Sequence, residues 1–361
     1  MAKILTIFNN KGGVGKTTLT YHMAHAFAEM GKKTLLVDLD PQCNLTITAL
    51  QMQDIHDIWS PEDDYIEDFS AASSNIDEML KSPRSIHFIL KPTEDGVDDL
   101  SSLPPPVCLN DNLSIIPGRL TLHRFEAKVS ERWNSVYSGD PLSIRTITNI
   151  RKISIEYAEE YGFDFVIFDT SPSLGALNKN ILTLADAFLI PCTPDLFSVY
   201  GIRNIGKSLG EWSKQFDTVY NVISSNKRGQ FPDKFVKLIG FTIYNAKKYD
   251  GPNNIHKLAK AHEHYANQIP STIQKHIPQS VALPYDEVLG ESIGGNSVIH
   301  THNTFPSMAQ KYHCPMWLIP DCDLDSEDVT TVRGNSQKFR DTQSAYQRFA
   351  DAVIKRLGMI G

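Results

Sequence analysis

The stretch of sequence that decides the fold is Lys11-Gly12-Gly13-Val14-Gly15-Lys16-Thr17-Thr18. It lies between an apolar run at residues 4–8, which predicts a β-strand, and residues 16–30, whose apolar side chains recur at helical spacing. Glycines let a turn present its backbone N–H groups to phosphate oxygens, and the helix that follows directs the positive end of its dipole at the same point. The stretch therefore predicts a phosphate-binding loop between a strand and a helix, which is the context such a loop requires.

Each residue of this loop has an expected contact with a bound nucleotide. The backbone is expected to surround the phosphates at Gly12, Gly13, Val14 and Gly15. Lys16 places a positive charge between the β- and γ-phosphates, the Thr17 hydroxyl is a ligand for Mg²⁺, and Thr18 reaches the α-phosphate. A dinucleotide-binding fold is the alternative, but the sequence lacks its Gly-x-Gly-x-x-Gly pattern.

The rest of the chain alternates apolar runs with helical segments. Further strands are expected at residues 34–38, 113–116, 165–168, 187–190 and 239–244, and helices at residues 147–161 and 344–357. Strands that alternate with helices form parallel sheets. We therefore predict an α/β fold with a mostly parallel, doubly wound sheet flanked by helices, in a single domain that spans residues 1–361.

An acidic segment interrupts this alternation at residues 51–110. Residues 51–100 carry 13 Asp and Glu against 3 Lys and Arg, although the whole chain of 361 residues has a net charge of only −7. The segment has Ser and Pro clusters and ends in Pro104-Pro105-Pro106, so we predict an insertion or surface subdomain. Residues 295–340 are polar and irregular and are predicted to be a C-terminal elaboration.

Three carboxylates follow two of the predicted strands. Asp38 and Asp40 lie in Val-Asp-Leu-Asp-Pro-Gln-Cys-Asn at residues 37–44, and Asp169 ends the strand of Phe-Val-Ile-Phe-Asp-Thr-Ser-Pro-Ser-Leu at residues 165–174. Open α/β sheets bind ligands at the carboxyl ends of their strands, and phosphoryl transfer needs a metal ion and a group that orients water. These three carboxylates and Thr17 are therefore the predicted metal ligands.

Together the three motifs resemble the ParA/MinD family of ATPases, whose phosphate loop has an additional early lysine. Lys11 occupies that position, and Asn10 stands where the usual loop has its first glycine, which looks more like ParA than MinD. Residues 37–44 resemble the ParA switch motif Val-Asp-x-Asp-Pro-Gln-x-Asn, with Cys43 in place of the common glycine. Residues 169–174 are similar to the second switch of ParA, with small changes at Thr170 and Ser171.

The resemblance implies slow, Mg²⁺-dependent hydrolysis of ATP to ADP and phosphate by a homodimer that forms on ATP binding. The catalytic residues it implies are Lys11, which reaches the phosphates of the partner subunit, Lys16, and Asp40, which positions the attacking water. Asp38 supports Mg²⁺ through its water shell, and Asp169 holds the ion or a water bound to it. A partner protein is expected to stimulate the reaction.

Two further matches concern the adenine base. Asn245 lies where related proteins contact the edge of the base, and Pro278 belongs to a segment that is similar to the Ile-Pro-Arg-Asn segment of the family. Gln279 replaces the usual arginine of that segment. Base contact and a plain loop role are both open for Asn245 and Pro278.

The resemblance leaves the cargo open. A ParA-like partition protein would bind DNA without sequence preference, and the candidate basic residues are Arg203, Lys207, Lys227, Arg228, Lys247, Lys248, Arg348, Lys355 and Arg356. A regulatory or defence module would instead dock an effector protein through the acidic segment. A metabolic relative is disfavoured, because the chain lacks the cysteine pair of an iron-protein reductase and shows no substrate site of an amidotransferase-type ligase.

The sequence disfavours membrane positioning of the MinD type, because the apolar stripe at residues 344–357 is more typical of a helix packed on the core. The sequence has no apolar run long enough to span a bilayer and no signal peptide. Its five cysteines are odd in number and far apart, and the closest pair, Cys314 and Cys322, lacks the spacing of zinc ligands. We therefore expect a cytoplasmic protein without disulfides or a metal or redox site at that pair.

Overall fold

The computed structural model of the protein describes residues 2–68, 76–224, 228, 231–246, 258–295, 299–300 and 302–360. Within these residues, the strands of the sheet are β1 (Lys3–Ile7), β2 (Thr34–Asp38), β3 (Val107–Asn110), β4 (Leu113–Ile116), β5 (Phe165–Asp169), β6 (Ala187–Cys192), β7 (Lys237–Ala246) and β8 (Ile299–His300). Their order across the sheet is β3-β4-β2-β5-β1-β6-β7-β8. All neighbouring pairs are parallel except β3 and β4, which confirms the mostly parallel sheet predicted from the sequence.

The helices of the described residues lie between these strands and after the last of them. The helices before β5 are α1 (Lys16–Glu29), α2 (Asn44–Ala49), α3 (Met52–Trp59), α4 (Asp63–Glu67), α5 (Ile76–Met79), α6 (Ile86–Asp95), α7 (His123–Trp133) and α8 (Pro141–Tyr161). Those after it are α9 (Ala176–Leu184), α10 (Leu196–Val222), α11 (Lys260–Ala266), α12 (Ile269–His276), α13 (Phe305–Lys311), α14 (Ser326–Gly334) and α15 (Ser336–Leu357).

Both faces of the sheet are covered by helices. The central strands β2, β5 and β6 consist of buried residues only, as expected when a parallel sheet is packed on both sides. Successive side chains of a strand point to opposite faces, so Ile4 packs with helices α6 to α12 while Leu5 packs with α1, α2, α13 and α15. The predicted doubly wound architecture is therefore confirmed.

The acidic segment is packed on the rest of the protein. It supplies α3 to α6 and the edge strand β3, and α6 contributes Phe88 and Leu90 to the core. The buried carboxylate of Glu62 accepts hydrogen bonds from the Ser85 backbone N–H at 2.7 Å and hydroxyl at 2.6 Å, and it pairs with Arg119 at 3.1 Å. These bonds compensate the burial of a charge and fix α4 beside α6.

The C-terminal elaboration lies on the face of the sheet that carries α1. It contains α13, a 3₁₀ turn at Met316–Asp321, α14 and the beginning of α15. Helix α15 begins at Ser336, earlier than the predicted residue 344, and its apolar stripe packs on the core through Phe339, Tyr346, Phe349, Val353 and Leu357. In the described part of the chain, no helix has the length and apolar character needed to cross a membrane.

Candidate nucleotide-binding site

The phosphate loop joins β1 to α1 with two glycines in the left-handed region of backbone conformation. Gly13 has a φ of 70° and Gly15, which precedes the first helical residue, has a φ of 80°. A Cβ atom on Gly15 would lie 2.1 Å from Cε1 of Tyr244, whereas a Cβ on Gly13 would meet no atom within 4 Å. Position 15 therefore requires a glycine for two reasons: the left-handed backbone conformation and the close approach of the Tyr244 ring.

Side chains on both sides of the loop hold it in place. The amide of Asn9 donates to the Pro191 carbonyl at the end of β6 at 2.7 Å, and its oxygen accepts from the Lys11 backbone N–H at 3.0 Å. Val14 is buried, while Gly12 and Gly13 are exposed. The loop is thus anchored at its start and presents its glycine backbone outward, as the predicted contacts with phosphate require.

Lys16 is buried at the start of α1 and points back along the loop. Its ammonium donates to the Lys11 carbonyl at 3.3 Å. Burial lowers the pKa of Lys16, and the nearby carboxylates of Asp169 and Asp40 oppose this shift. A lysine held this way gains from an additional anion, such as a phosphate, because its charge is only partly compensated.

The three predicted carboxylates meet at the carboxyl edge of the sheet. The register of β2 and β5 pairs Asp38 directly with Asp169, and Asp40 follows two residues after the strand. All three are buried. The Thr17 hydroxyl donates to Oδ2 of Asp169 at 2.8 Å, so the loop and the strand ends form one site.

Burial gives these carboxylates unusual proton affinities. It raises the pKa of Asp169 to about 8, and the neighbouring charge of Asp38 adds to the shift, while the Thr17 hydroxyl opposes it. Burial also raises the pKa of Asp38 to about 6, against hydrogen bonds from Thr46 and the Asp40 backbone. Ionised carboxylates are therefore unfavourable in this buried cluster, and a bound cation would stabilise their charged forms.

The donor set fits Mg²⁺. Hydroxyl and carboxylate oxygens are the ligands that this hard cation prefers, and Thr17, Asp40 and Asp169 offer them around the end of the phosphate loop. Asp38 is different, because its Oδ2 accepts from both the backbone N–H of Thr46 at 2.9 Å and the hydroxyl at 2.6 Å. Asp38 thus suits a supporting role better than direct coordination.

The position of Asp38 depends on Thr46 and Gly118, which the sequence motifs did not suggest. Thr46, in α2, also accepts from the Gly118 backbone N–H at 2.7 Å, and a Cβ on Gly118 would lie 2.9 Å from Cγ of Asp38. Cys43, which precedes α2, has a φ of 55°. This left-handed conformation explains why a glycine is common at that position in the family the motif resembles.

Lys11, the second lysine of the loop, does not point toward Lys16. It forms an ion pair with Asp195, whose other oxygen accepts from the Ser198 backbone N–H at 2.9 Å and caps α10. Its ammonium lies 6.0 Å from the ring centre of Phe197. The sequence motifs did not reveal this partner, although an Asp three residues before a Ser at a helix start is typical of a helix cap.

The first turn of α10 exposes an apolar patch beside this ion pair. Leu196 is 47%, Phe197 72% and Tyr200 53% exposed. Leu174, in the loop after β5, is also exposed. Because solvent-exposed aromatic side chains of this size mark contact surfaces, the patch is a candidate interface around Lys11.

The two predicted adenine contacts lie in different places. Asn245, exposed and with a φ of 57°, directly follows Tyr244 at the carboxyl end of β7, next to the loop. Pro278 lies against Gly210 of α10, which is about 20 Å along the helix from Asp195 at 1.5 Å per residue. The structure therefore brings Asn245, but not Pro278, to the phosphate loop.

The basic candidates are scattered. Arg203 and Lys207 are exposed on α10, and Arg348 is exposed on α15. Lys355 pairs with Asp351 at 2.6 Å, and Arg356 donates to the Ile239 carbonyl at 2.9 Å. Arg228 stacks on the Tyr220 ring, 3.7 Å from its centre, and Lys227, Lys247 and Lys248 lie outside the described residues.

A family model described as an AAA domain matches residues 2–222 of the chain. Among curated proteins, an uncharacterized protein of Methanocaldococcus jannaschii is 31% identical over 252 residues, which are 70% of this chain and 75% of that protein. The chromosome partitioning protein ParA of Myxococcus xanthus is 28% identical over 205 residues, 57% of each chain. The solved structure of pNOB8 ParA bound to nonspecific DNA covers all of both chains at 18% identity and a TM-score of 0.54, which shows a shared fold.

Proposed function

This chain belongs to the ParA/MinD family of P-loop ATPases, and from that premise we propose that it is a dimerisation switch driven by ATP. In this proposal, ATP binding joins two copies, slow Mg²⁺-dependent hydrolysis separates them, and an unidentified protein partner stimulates the hydrolysis. The cycle would serve the partition of DNA or the positioning of another cargo.

The observation that carries the proposal is the opposite direction of the two lysines of one loop. Lys16 is buried beside the carboxylates, whereas Lys11 is held at the surface by Asp195 and is bordered by the apolar first turn of α10. A lysine placed outside its own site can serve the phosphates of a second copy. The exposed rings of Phe197 and Tyr200 offer that copy an apolar surface.

In this proposal, each residue of the nucleotide-binding site has a distinct role in ATP binding or hydrolysis. Backbone N–H groups of Gly12 to Gly15 and the ammonium of Lys16 bind the phosphates of ATP, and Asn245 contacts the base. Mg²⁺, held by Thr17, Asp40 and Asp169 with support from Asp38, would neutralise charge on the phosphates. Asp40 orients the attacking water.

Binding of DNA without sequence preference is the cargo that we propose first. Arg203 and Lys207 are one helical turn apart on α10 and both are exposed. The Myxococcus relative is a chromosome partitioning protein, which supports a DNA cargo. Lys355 and Arg356 are weaker candidates, because each is engaged within the protein.

A titration of random-sequence duplex DNA tests this cargo. Asp40→Ala protein with Mg²⁺-ATP should bind DNA, should lose affinity steeply as salt rises, and should not bind with ADP. Replacing Arg203 and Lys207 with alanine should weaken binding and reduce the salt dependence, whereas Lys355→Ala should leave both unchanged. Absence of binding by a protein that still forms the ATP dimer would overturn the DNA proposal.

That negative result would favour docking of an effector protein instead. The acidic segment exposes many carboxylates on α3, α4 and α5, among them Asp54, Asp57, Asp64, Asp77 and Glu78. A concentrated negative surface suits a basic protein partner and repels DNA. The described residues of the segment are anchored by Glu62 and Arg119, so a partner would meet a formed surface.

A further inference from the structure

We propose that Cys314 and Cys322 are a modification site at which a hydroperoxide oxidises the two thiols to an intramolecular disulfide. The site lies in the C-terminal elaboration, on the face of the sheet that carries α1. The proposal does not rest on the ATPase cycle. The spacing of the two cysteines did not predict it, because the fold of the intervening turn brings them together.

The two sulfur atoms are already in contact. The Sγ atoms lie 3.1 Å apart, while a disulfide bond is about 2.05 Å long, so closing it requires a movement of about 1 Å. The 3₁₀ turn at Met316–Asp321 folds the chain back between them. The backbone N–H of Cys314 donates to Ala309 at 3.2 Å and that of Cys322 to Ile319 at 3.1 Å, so both ends are held in place.

Cys322 is the thiol that an oxidant meets first. With Met52, Tyr312 and His313 it lines an open surface cavity of about 650 Å³. Burial and the neighbouring sulfur raise the pKa of the Cys314 thiol, which makes Cys314 the slower nucleophile. Cys43 and Cys192 are buried, and Cys108 is exposed on the edge strand β3.

The chemistry balances with a hydroperoxide as the named oxidant. The sulfur of Cys322 attacks the peroxide, so that an S–O bond forms, the O–O bond breaks, and one molecule of water or alcohol leaves. The sulfur of Cys314 then attacks that of Cys322, so that the S–S bond forms, the S–O bond breaks, and water leaves with the thiol proton. Two thiols lose two electrons and the peroxide gains them.

The disulfide would close a covalent loop around the 3₁₀ turn at Met316–Asp321, which packs on α1. Trp317, inside the turn, donates from Nε1 to Glu29 at the end of α1 and packs its ring against His22 and Tyr346. His313, next to Cys314, lies with Nδ1 3.3 Å from the Thr48 carbonyl of α2. Closing the loop restricts the unfolded chain, so the oxidised protein should melt at a higher temperature than the reduced protein.

One tryptic peptide reports the reaction. Residues 312–333 contain both cysteines and no internal Lys or Arg, so trypsin releases them together. The folded full-length protein is exposed to hydrogen peroxide, denatured, alkylated with iodoacetamide and digested. We expect this peptide to lose two hydrogen atoms and to carry no alkyl group, and to accept two alkyl groups after reduction with dithiothreitol.

Matched variants separate the site from general oxidation. Cys108→Ser should behave like the unchanged protein, whereas Cys314→Ser should accumulate a sulfenic acid at Cys322 that dimedone traps, and should show no rise in melting temperature. The proposal is overturned if the peptide accepts two alkyl groups after peroxide treatment as it does before. It is also overturned if Cys322 is joined instead to a cysteine of another molecule.

Discussion

At the level of single residues, two glycines of the phosphate loop share a backbone conformation but differ in their surroundings. Gly13 and Gly15 both have positive φ, and the Tyr244 ring occupies the space of a side chain only at Gly15. Tyr244 is fixed in turn by a hydrogen bond of 3.0 Å between its hydroxyl and that of Tyr346 in α15. The C-terminal helix α15 therefore holds the ring of Tyr244 against the phosphate loop.

This difference predicts unequal effects of the same substitution. Gly13→Ala should cost about 1–2 kcal/mol of unfolding free energy for left-handed strain, and Gly15→Ala should cost more because its methyl group collides with Tyr244. In Gly15→Ala/Tyr244→Ala the collision is removed, so the double variant should be more stable than the sum of the single effects. Denaturant unfolding without nucleotide measures the unchanged protein, the single variants Gly13→Ala, Gly15→Ala and Tyr244→Ala, and the double variant. Equal losses for the two glycine variants would contradict the contact.

At the level of elements, Asp195 has two roles, because it caps α10 and holds Lys11. In the proposed dimer, Lys11 would have to leave Asp195 to reach the phosphates of a partner subunit. Surface ion pairs contribute about 1 kcal/mol at most, so breaking the pair in both copies would lower the dimerisation constant by no more than about fivefold for each copy. In this proposal, the ion pair between Lys11 and Asp195 weakly opposes dimerisation.

Two substitutions of Asp195 separate these roles. Asp195→Asn keeps an oxygen that caps the helix but loses the charge, so about fivefold less Mg²⁺-ATP should suffice for half-maximal dimerisation, with little change in stability. Asp195→Ala should also lower the unfolding free energy by about 1 kcal/mol, because the cap is lost. Sedimentation and thermal unfolding measure the two effects. A higher ATP requirement in Asp195→Asn would show that the pair promotes dimerisation.

Local sequence patterns were sufficient to predict the elements that carry the site. The loop, the strand ends at Asp38 and Asp169 and the doubly wound sheet follow from short apolar runs, glycine positions and strand-end carboxylates. The contacts between distant parts of the chain were not predictable in this way. Asp195 meets Lys11 and Tyr244 meets Gly15 because β6 lies beside β1 in the sheet and β7 lies beside β6.

Composition and short sequence matches do not predict how two regions, the acidic segment and the segment around Pro278, pack in the fold. The acidic segment, which we predicted to be an insertion or surface subdomain, contributes apolar residues of α6 to the core and adds β3 to the sheet, because a count of charges does not detect a buried apolar stripe. Pro278, whose contact with the base stays a prediction, packs on α10 near Gly210. A short sequence match identifies the type of residue, whereas the position of Pro278 in space depends on the path of the chain through β7 and α12.

At the level of the whole molecule, we propose that the site of one copy becomes complete only with a second copy. In this proposal one copy supplies the loop, Lys16 and the carboxylates, and the other copy supplies Lys11. The exposed first turn of α10 lies where the two copies would meet. Hydrolysis would return Lys11 to Asp195 and leave both copies free to separate.

Sedimentation velocity with two matched proteins tests this claim most directly. Asp40→Ala should bind Mg²⁺-ATP, hydrolyse it very slowly and sediment as a dimer, and it should be a monomer with ADP. The double variant Lys11→Ala/Asp40→Ala should bind ATP with similar affinity, because Lys16 is intact, and should remain a monomer. A dimer of the double variant that forms with Mg²⁺-ATP as readily as the single variant would contradict the account.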